Sequence, residues 1–134
     1  MALQIRRPPT AFSHQPTGKN SGRIEDKDYL AWIRTLPCAV SGMRPVDASH
    51  ISYAEPKYGK LGRGKGSKED DKWAIPVGHA EHMRSHDVGE RRYWEMIGLD
   101  PCIIAMALWA AYPDEDKALL ILEHSMRQAK QRRT

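Results

Sequence analysis

The chain has 134 residues, a formal net charge of +4 and two cysteines, Cys38 and Cys102. This length supports one compact core rather than several domains, and two cysteines do not imply a disulfide framework. The longest apolar run, from Cys102 to Tyr112, is too short to cross a bilayer, and no signal peptide is recognisable. We therefore expect a soluble, cytoplasmic protein with no membrane partner.

Basic residues are concentrated in three segments. Residues 1–24 are rich in proline, glycine and arginine, so we expect a flexible basic arm, followed by a folded domain over 25–134. The other two segments are a glycine- and lysine-rich loop from Lys57 to Lys68 and a tail from Arg127 onward. All three suit a polyanionic partner, although solvated loops and tails are often basic as well.

The remaining pattern alternates between short strands and helices. A helix is predicted from Asp26, with Tyr29, Trp32 and Ile33 at helical spacing, and Pro37 ends it. Short strands are predicted at 38–40, 46–52 and 73–77, with a flexible loop over 53–68.

Further helices are predicted in the second half of the chain. One begins near His79 and continues helically over Glu90 to Ile97. The others begin at Asp100-Pro101, where Asp100 followed by proline is an N-cap signal, and at Pro113-Asp114. Strands and helices mixed in one small domain indicate an α+β fold. The expected core anchors are three tryptophans: Trp32, Trp73 and Trp94.

Histidines provide the strongest functional signal. His82 and His86 are four residues apart, so a helix places both imidazoles on one face, close enough to hold one metal ion. His50 follows a short predicted strand upstream. In a small basic protein, this combination suggests metal-assisted cutting of nucleic acid.

The ordered pieces over residues 27–112 resemble HNH endonucleases. Ala48-Ser49-His50 is followed by the glycine-rich loop and then by the stretch from Asp71 to His86, which contains Pro76-Val77 and both helix histidines. The pattern is similar to that of the phage and prophage recombination-enhancement nucleases. The resemblance implies a small ββα-metal finger core flanked by helices and one divalent metal ion, Mg, Mn, Ni or Zn. It also implies DNA as the partner, a phage or prophage origin in a bacterial cell, and a partner protein from recombination or phage replication. The basic segments predict that DNA is bound with little sequence specificity.

The resemblance also assigns roles to individual residues. His50 is the general base that activates water, and His82 and His86 hold the metal. Ser49 occupies the position of a further ligand but carries a neutral hydroxyl, which binds most divalent metals poorly. Asp47 lies on the same strand face and could reach the metal directly or through water, or could only cap a turn. The expected DNA contacts are Lys57, Lys60, Arg63, Lys65, Lys68 and Arg84.

A structural zinc site, present in many HNH relatives, is not expected here. The matching positions are Cys38 and Ser41, then Gly78 and Glu81, so a single thiolate remains. The fold must then depend on hydrophobic burial.

Three functions remain open from the sequence. The first is a metal-dependent DNA endonuclease or nickase, a phosphodiester hydrolase. The second is a catalytically degenerate nucleic-acid-binding module of the same fold, which has no need of an imidazole at His50. The third is non-haem iron chemistry, which two histidines and a carboxylate also suit, although short strands and a small core argue against an oxygenase barrel.

Overall fold

A computed structural model describes residues 23–61 and 69–133. The predicted arm up to residue 22 and the loop residues Arg63, Lys65 and Lys68 lie outside this part of the chain. The described residues form five α-helices and a two-stranded antiparallel sheet, which confirms the expected α+β class. In chain order the elements are α1 (Lys27–Ile33), β1 (Val46–His50), β2 (Ala74–Gly78), α2 (His79–Val88), α3 (Glu90–Ile97), α4 (Pro101–Ala111) and α5 (Glu115–Arg133).

Two helices begin where their sequences predict. The Asp26 carboxylate accepts a hydrogen bond from the backbone N–H of Tyr29 and caps α1. Asp100 caps α4 in the same way by accepting from the N–H of Cys102, and Pro101 occupies the first helical position. Each cap satisfies an N–H group that has no partner within its own helix.

The strand register determines which side chains can meet. Val46 pairs with Gly78, and His50 pairs with Ala74 at the other end of β1. Because β2 runs into α2 without a loop, the N-terminal half of β1 lies beside the start of that helix. The C-terminal end of β1 instead lies beside the 3₁₀ turn Asp71–Trp73, which precedes β2.

The core is formed where the helices close around the sheet. Trp73 and Trp94 are buried, as predicted. Trp32 is only partly buried and packs against Tyr29 and Tyr112, with ring centroids 5.7 and 5.0 Å away. Other residues with little or no exposure include Ile33, Leu36, Ile75, Val77, Leu108 and Leu122.

The predicted strand at 38–40 is wrong. These residues are buried, as in a core strand, but they form a turn in which Cys38 Sγ accepts hydrogen bonds from the N–H groups of Val40 and Ser41. Residues 38–40 are therefore buried without pairing to a strand.

Parts of two segments predicted to be flexible are ordered. In the predicted loop, Pro56–Tyr58 forms a 3₁₀ turn, and Glu55 and Lys60 form an isolated antiparallel bridge. Arg23, which the sequence assigns to the arm, has an almost buried side chain that donates to the carbonyl of Glu69. The ordered domain therefore includes at least this end of the predicted arm.

Within the described ranges, no single helix is long and apolar enough to cross a membrane. Helices α3 and α4 pass the same test only when taken together, and they are bent by 86° at the break between them.

Candidate metal and nucleic-acid site

Asp47 joins β1 to the first turn of α2. Its Oδ2 atom lies 2.9 Å from Nδ1 of His82 and 3.0 Å from Nδ1 of His79. Asp47 is paired with Val77, at the end of β2, so its side chain reaches the helix that follows directly. A carboxylate accepts hydrogen bonds and does not donate them, so each imidazole presents an Nδ1–H group to it.

These hydrogen bonds act on both partners. The bond from His82, followed by that from His79, lowers the pKa of Asp47 from its ordinary value. With its proton at Nδ1, His82 has a lone pair at Nε2, the form in which an imidazole binds a metal. Asp47 is therefore placed to orient His82 rather than only to cap a turn.

The second helix histidine lies next to the first. The ring centroids of His82 and His86 are 4.8 Å apart, as expected for residues four apart on one helix face. His82 is partly buried and His86 is exposed. Imidazole nitrogens are donors of the type that zinc, manganese and nickel accept, and these two lie on adjacent turns.

A complete set of protein ligands is not assembled among residues 23–61 and 69–133. No group of three or more His, Cys, Asp or Glu side chains in these ranges is arranged to hold a metal ion. Ser49 is buried and, by strand alternation, lies on the same face of β1 as Asp47. The two side chains predicted as further ligands, Asp47 and Ser49, thus share this face of β1, and Asp47 is the one that contacts a histidine of α2 in the described part of the chain.

His50 lies at the other end of β1 and faces different partners. Its Nε2 atom is 2.8 Å from Oδ1 of Asp71, in the 3₁₀ turn before β2. Asp71 is buried and also accepts from Arg23 Nη2 at 3.3 Å and from the backbone N–H of Asp26 at 2.7 Å. His50 keeps 30% side-chain exposure, so its ring remains accessible although one nitrogen is held.

The residues predicted to contact DNA differ from one another in exposure. Lys57 and Arg84 are exposed, as a phosphate contact requires. Lys60 was predicted to contact DNA, but its side chain is fully buried, bound to Glu69 at 2.9 Å and lying 5.7 Å from the Trp73 ring centroid. This prediction is wrong, because Lys60 has no exposed surface to offer a phosphate.

At the positions that match a structural zinc site in HNH relatives, the side chains make other contacts. Gly78 lies next to Cys38, and a Cβ atom added at Gly78 would be 3.9 Å from Cys38 Sγ. Glu81 accepts a hydrogen bond from the Tyr93 hydroxyl, and burial together with this bond raises the pKa of Tyr93. The turn that presents Cys38 is thus held by backbone N–H groups and packing.

Comparison with known proteins places most of the chain in one family. Residues 2–111 match the profile described as "Protein of unknown function (DUF968)". The chain belongs to the DUF968 family. No curated protein and no solved structure matches it significantly. All of the histidines and carboxylates described above lie inside the DUF968 match.

The contacts of two site residues in this DUF968 chain were not predicted from the sequence. Asp71 was noted only as part of the motif, and its contact with His50 spans 21 residues along the chain. His79 contacts Asp47 across 32 residues. A signal existed for His79, because it lies three residues before His82 and so shares its helix face.

Proposed function

We propose that this protein is a metal-dependent DNA endonuclease or nickase with an HNH-like ββα-metal core. The observation that carries the proposal is that a strand pair and the helix that follows it bear the three histidines predicted to act. Strand β1 bears His50, its partner β2 runs directly into α2, and α2 presents His82 and His86 side by side.

The reaction requires an activated water and compensation of negative charge on the phosphate. When bound, a divalent metal would supply a Lewis acid to the phosphate and the leaving oxygen. His82 and His86 are the residues that would hold it, and Asp47 orients His82 through the Nδ1–H bond.

His50 is the proposed general base. Imidazole is the side chain best suited to accept a proton from water at physiological pH, and such catalysis typically contributes about 10²–10⁴ in rate. The ring is held through Nε2 and partly exposed, so a water molecule can reach it. Asp71 and Arg23 keep the ring in place from the buried side.

DNA contact would come from the basic residues around this unit. Lys57 and Arg84 are exposed. Arg63, Lys65 and Lys68 belong to the chain between β1 and β2 and lie outside the described residues. Such contacts favour phosphates over base edges, so we expect little sequence specificity.

The proposal is tested by incubating supercoiled plasmid with purified protein in EDTA, Mg²⁺, Mn²⁺, Ni²⁺ or Zn²⁺. We expect nicked or linear product with at least one metal and none in EDTA. His82→Ala and His86→Ala should lose the activity, whereas His124→Ala, an exposed histidine on α5, should retain it.

A second candidate is a nucleic-acid-binding module that has lost cleavage. It is favoured by the neutral Ser49 hydroxyl and by the incomplete ligand set in the described part of the chain. Salt-sensitive DNA binding with no cutting in any of the four metals would support this candidate and contradict the nuclease.

A further inference from the structure

Both oxygen atoms of the Asp71 carboxylate are engaged with hydrogen-bond donors. Its Oδ2 atom accepts from the Asp26 N–H, and its Oδ1 atom accepts from Arg23 while lying 2.8 Å from His50 Nε2. An aspartate in this arrangement offers only acceptor oxygens. The hydrogen in the contact with His50 must therefore come from the imidazole, which places the ring proton on Nε2.

We propose that Asp71 is a positioning residue that fixes His50 as the Nε2–H tautomer, so that Nδ1 is the atom that takes up the proton from water. A neutral imidazole has one N–H and one lone pair, and a proton at Nε2 leaves the lone pair at Nδ1. The reaction in this statement rests on the proposed function, whereas the tautomer is a property of the protein before any substrate binds.

Arg23 and Asp26 each donate a hydrogen bond, and together they require a carboxylate side chain at position 71. The guanidinium of Arg23 is itself fixed, because Nε donates to the Glu69 carbonyl and Nη1 pairs with Glu25 at 3.0 Å. The N–H of Asp26 belongs to the backbone just before α1 and cannot turn away. Both donors therefore require oxygen atoms on Asp71.

Asparagine has only one such oxygen, so Asp71→Asn should reverse the His50 tautomer. The amide oxygen would stay on the Asp26 N–H, which is fixed in the backbone and makes the shorter bond, 2.7 Å against 3.3 Å from Arg23. The NH₂ group would then face His50 Nε2, and Arg23 would lose its bond to residue 71. A donor at that position binds only an unprotonated Nε2, which moves the ring proton to Nδ1 and removes the lone pair that accepts the proton from water.

The test is NMR of protein labelled with ¹⁵N-histidine, at mildly alkaline pH where imidazoles are neutral. The wild type should show His50 as the Nε2–H tautomer, and Asp71→Asn should show Nδ1–H. Asp70→Asn is the matched control, because it makes the same charge change beside the same segment, where Asp70 accepts from the Ile24 N–H. It should leave the His50 tautomer as in wild type.

Plasmid nicking completes the experiment. Asp71→Asn should lower the rate by about 10²–10⁴, the usual range for general-base catalysis, without changing metal affinity. An Nδ1–H tautomer in the wild type would overturn the inference even if the variant failed to fold, as would Nε2–H in a folded Asp71→Asn.

The two proposals fail in different ways. A tautomer that reverses in a protein that never cuts DNA would support the positioning role and contradict the nuclease. A nicking rate unchanged in Asp71→Asn, but lost in His50→Ala, would overturn the positioning role and leave the nuclease supported.

Discussion

At the scale of single residues, the site depends on which nitrogen of each histidine is engaged. Asp47 holds Nδ1 of His82, whereas Asp71 holds Nε2 of His50. The ring nitrogens left free are Nε2 of His82, proposed to bind a metal, and Nδ1 of His50, proposed to take a proton from water. This difference arises from two carboxylates, one on β1 and one in the turn before β2.

The first prediction concerns metal affinity. His82→Ala and His86→Ala should each remove most bound metal, because no group of three His, Cys, Asp or Glu side chains in the described part of the chain could compensate. Asp47→Asn should weaken binding by about 10–100-fold, the usual effect of removing the carboxylate that orients a metal-binding histidine. Calorimetric titration with Mn²⁺, Ni²⁺ and Zn²⁺ measures these changes, with His124→Ala as the control.

Ser49→Asp is the companion change. If Ser49 occupies a ligand position, an added carboxylate should tighten metal binding. Metal affinity equal to wild type in both His82→Ala and His86→Ala would contradict a shared site on α2.

At the scale of secondary structure, hydrogen bonds distant in sequence determine where the strands and loops meet. Lys60 and Glu69 form a buried pair at the two ends of the basic loop. Tyr58 donates to Asp100 at 2.6 Å, which ties the 3₁₀ turn to the start of α4, and this bond raises the pKa of Tyr58 to about 12. The stems of the loop are therefore part of the folded core.

The second prediction follows from that buried pair. Lys60→Ala should destabilise the protein by about 3–5 kcal/mol, because Glu69 would remain buried without its partner. Lys57→Ala is the control, since Lys57 is exposed and should change stability by no more than about 0.5 kcal/mol. Urea unfolding followed by tryptophan fluorescence provides both values. Equal midpoints for the two variants would show that the pair contributes little.

Local signals predicted most of the elements, and long-range contacts explain the failures. Asp26 and Asp100 are caps that a few neighbouring residues reveal, and both occur where expected. The turn at Cys38 has the apolar composition of a strand, so only its hydrogen bonds distinguish it. Lys60 looked like a solvated cation because its partner Glu69 lies beyond the glycine-rich stretch.

In the candidate site, too, local signals were predictable from the sequence and long-range contacts were not. Helical spacing alone placed His82 and His86 together, and the structure brings their rings into contact range. The role of Asp71 depends on Arg23, 48 residues away, and on the strand register, which local pattern does not encode. Ser49 was predicted to be a weak ligand on chemical grounds, and that prediction stays untested.

At the scale of the whole molecule, charge should govern binding. The net charge of +4 and the exposed basic residues favour contact with phosphates. The third prediction is that Lys57→Ala, Arg63→Ala and Lys65→Ala together reduce the slope of log K against log salt concentration. The reduction should be up to about 2.7 units, at roughly 0.9 per phosphate contact on duplex DNA.

A charge-matched control distinguishes the loss of phosphate contacts from the loss of net charge. Changing Lys27, Arg34 and Lys117 to alanine removes the same charge from exposed positions on or next to α1 and α5. Fluorescence anisotropy over a salt series should show a smaller change for this control. Identical slopes for both triple variants would indicate that net charge, and not the loop, determines binding.

The central claim is that His50 performs the chemistry while α2 holds the metal. The most direct test is the nicking rate of His50→Ala at saturating metal, with metal affinity measured on the same preparation. The account predicts a rate lower by about 10²–10⁴ with unchanged affinity. Nicking by repurified His50→Ala at the wild-type rate would contradict it.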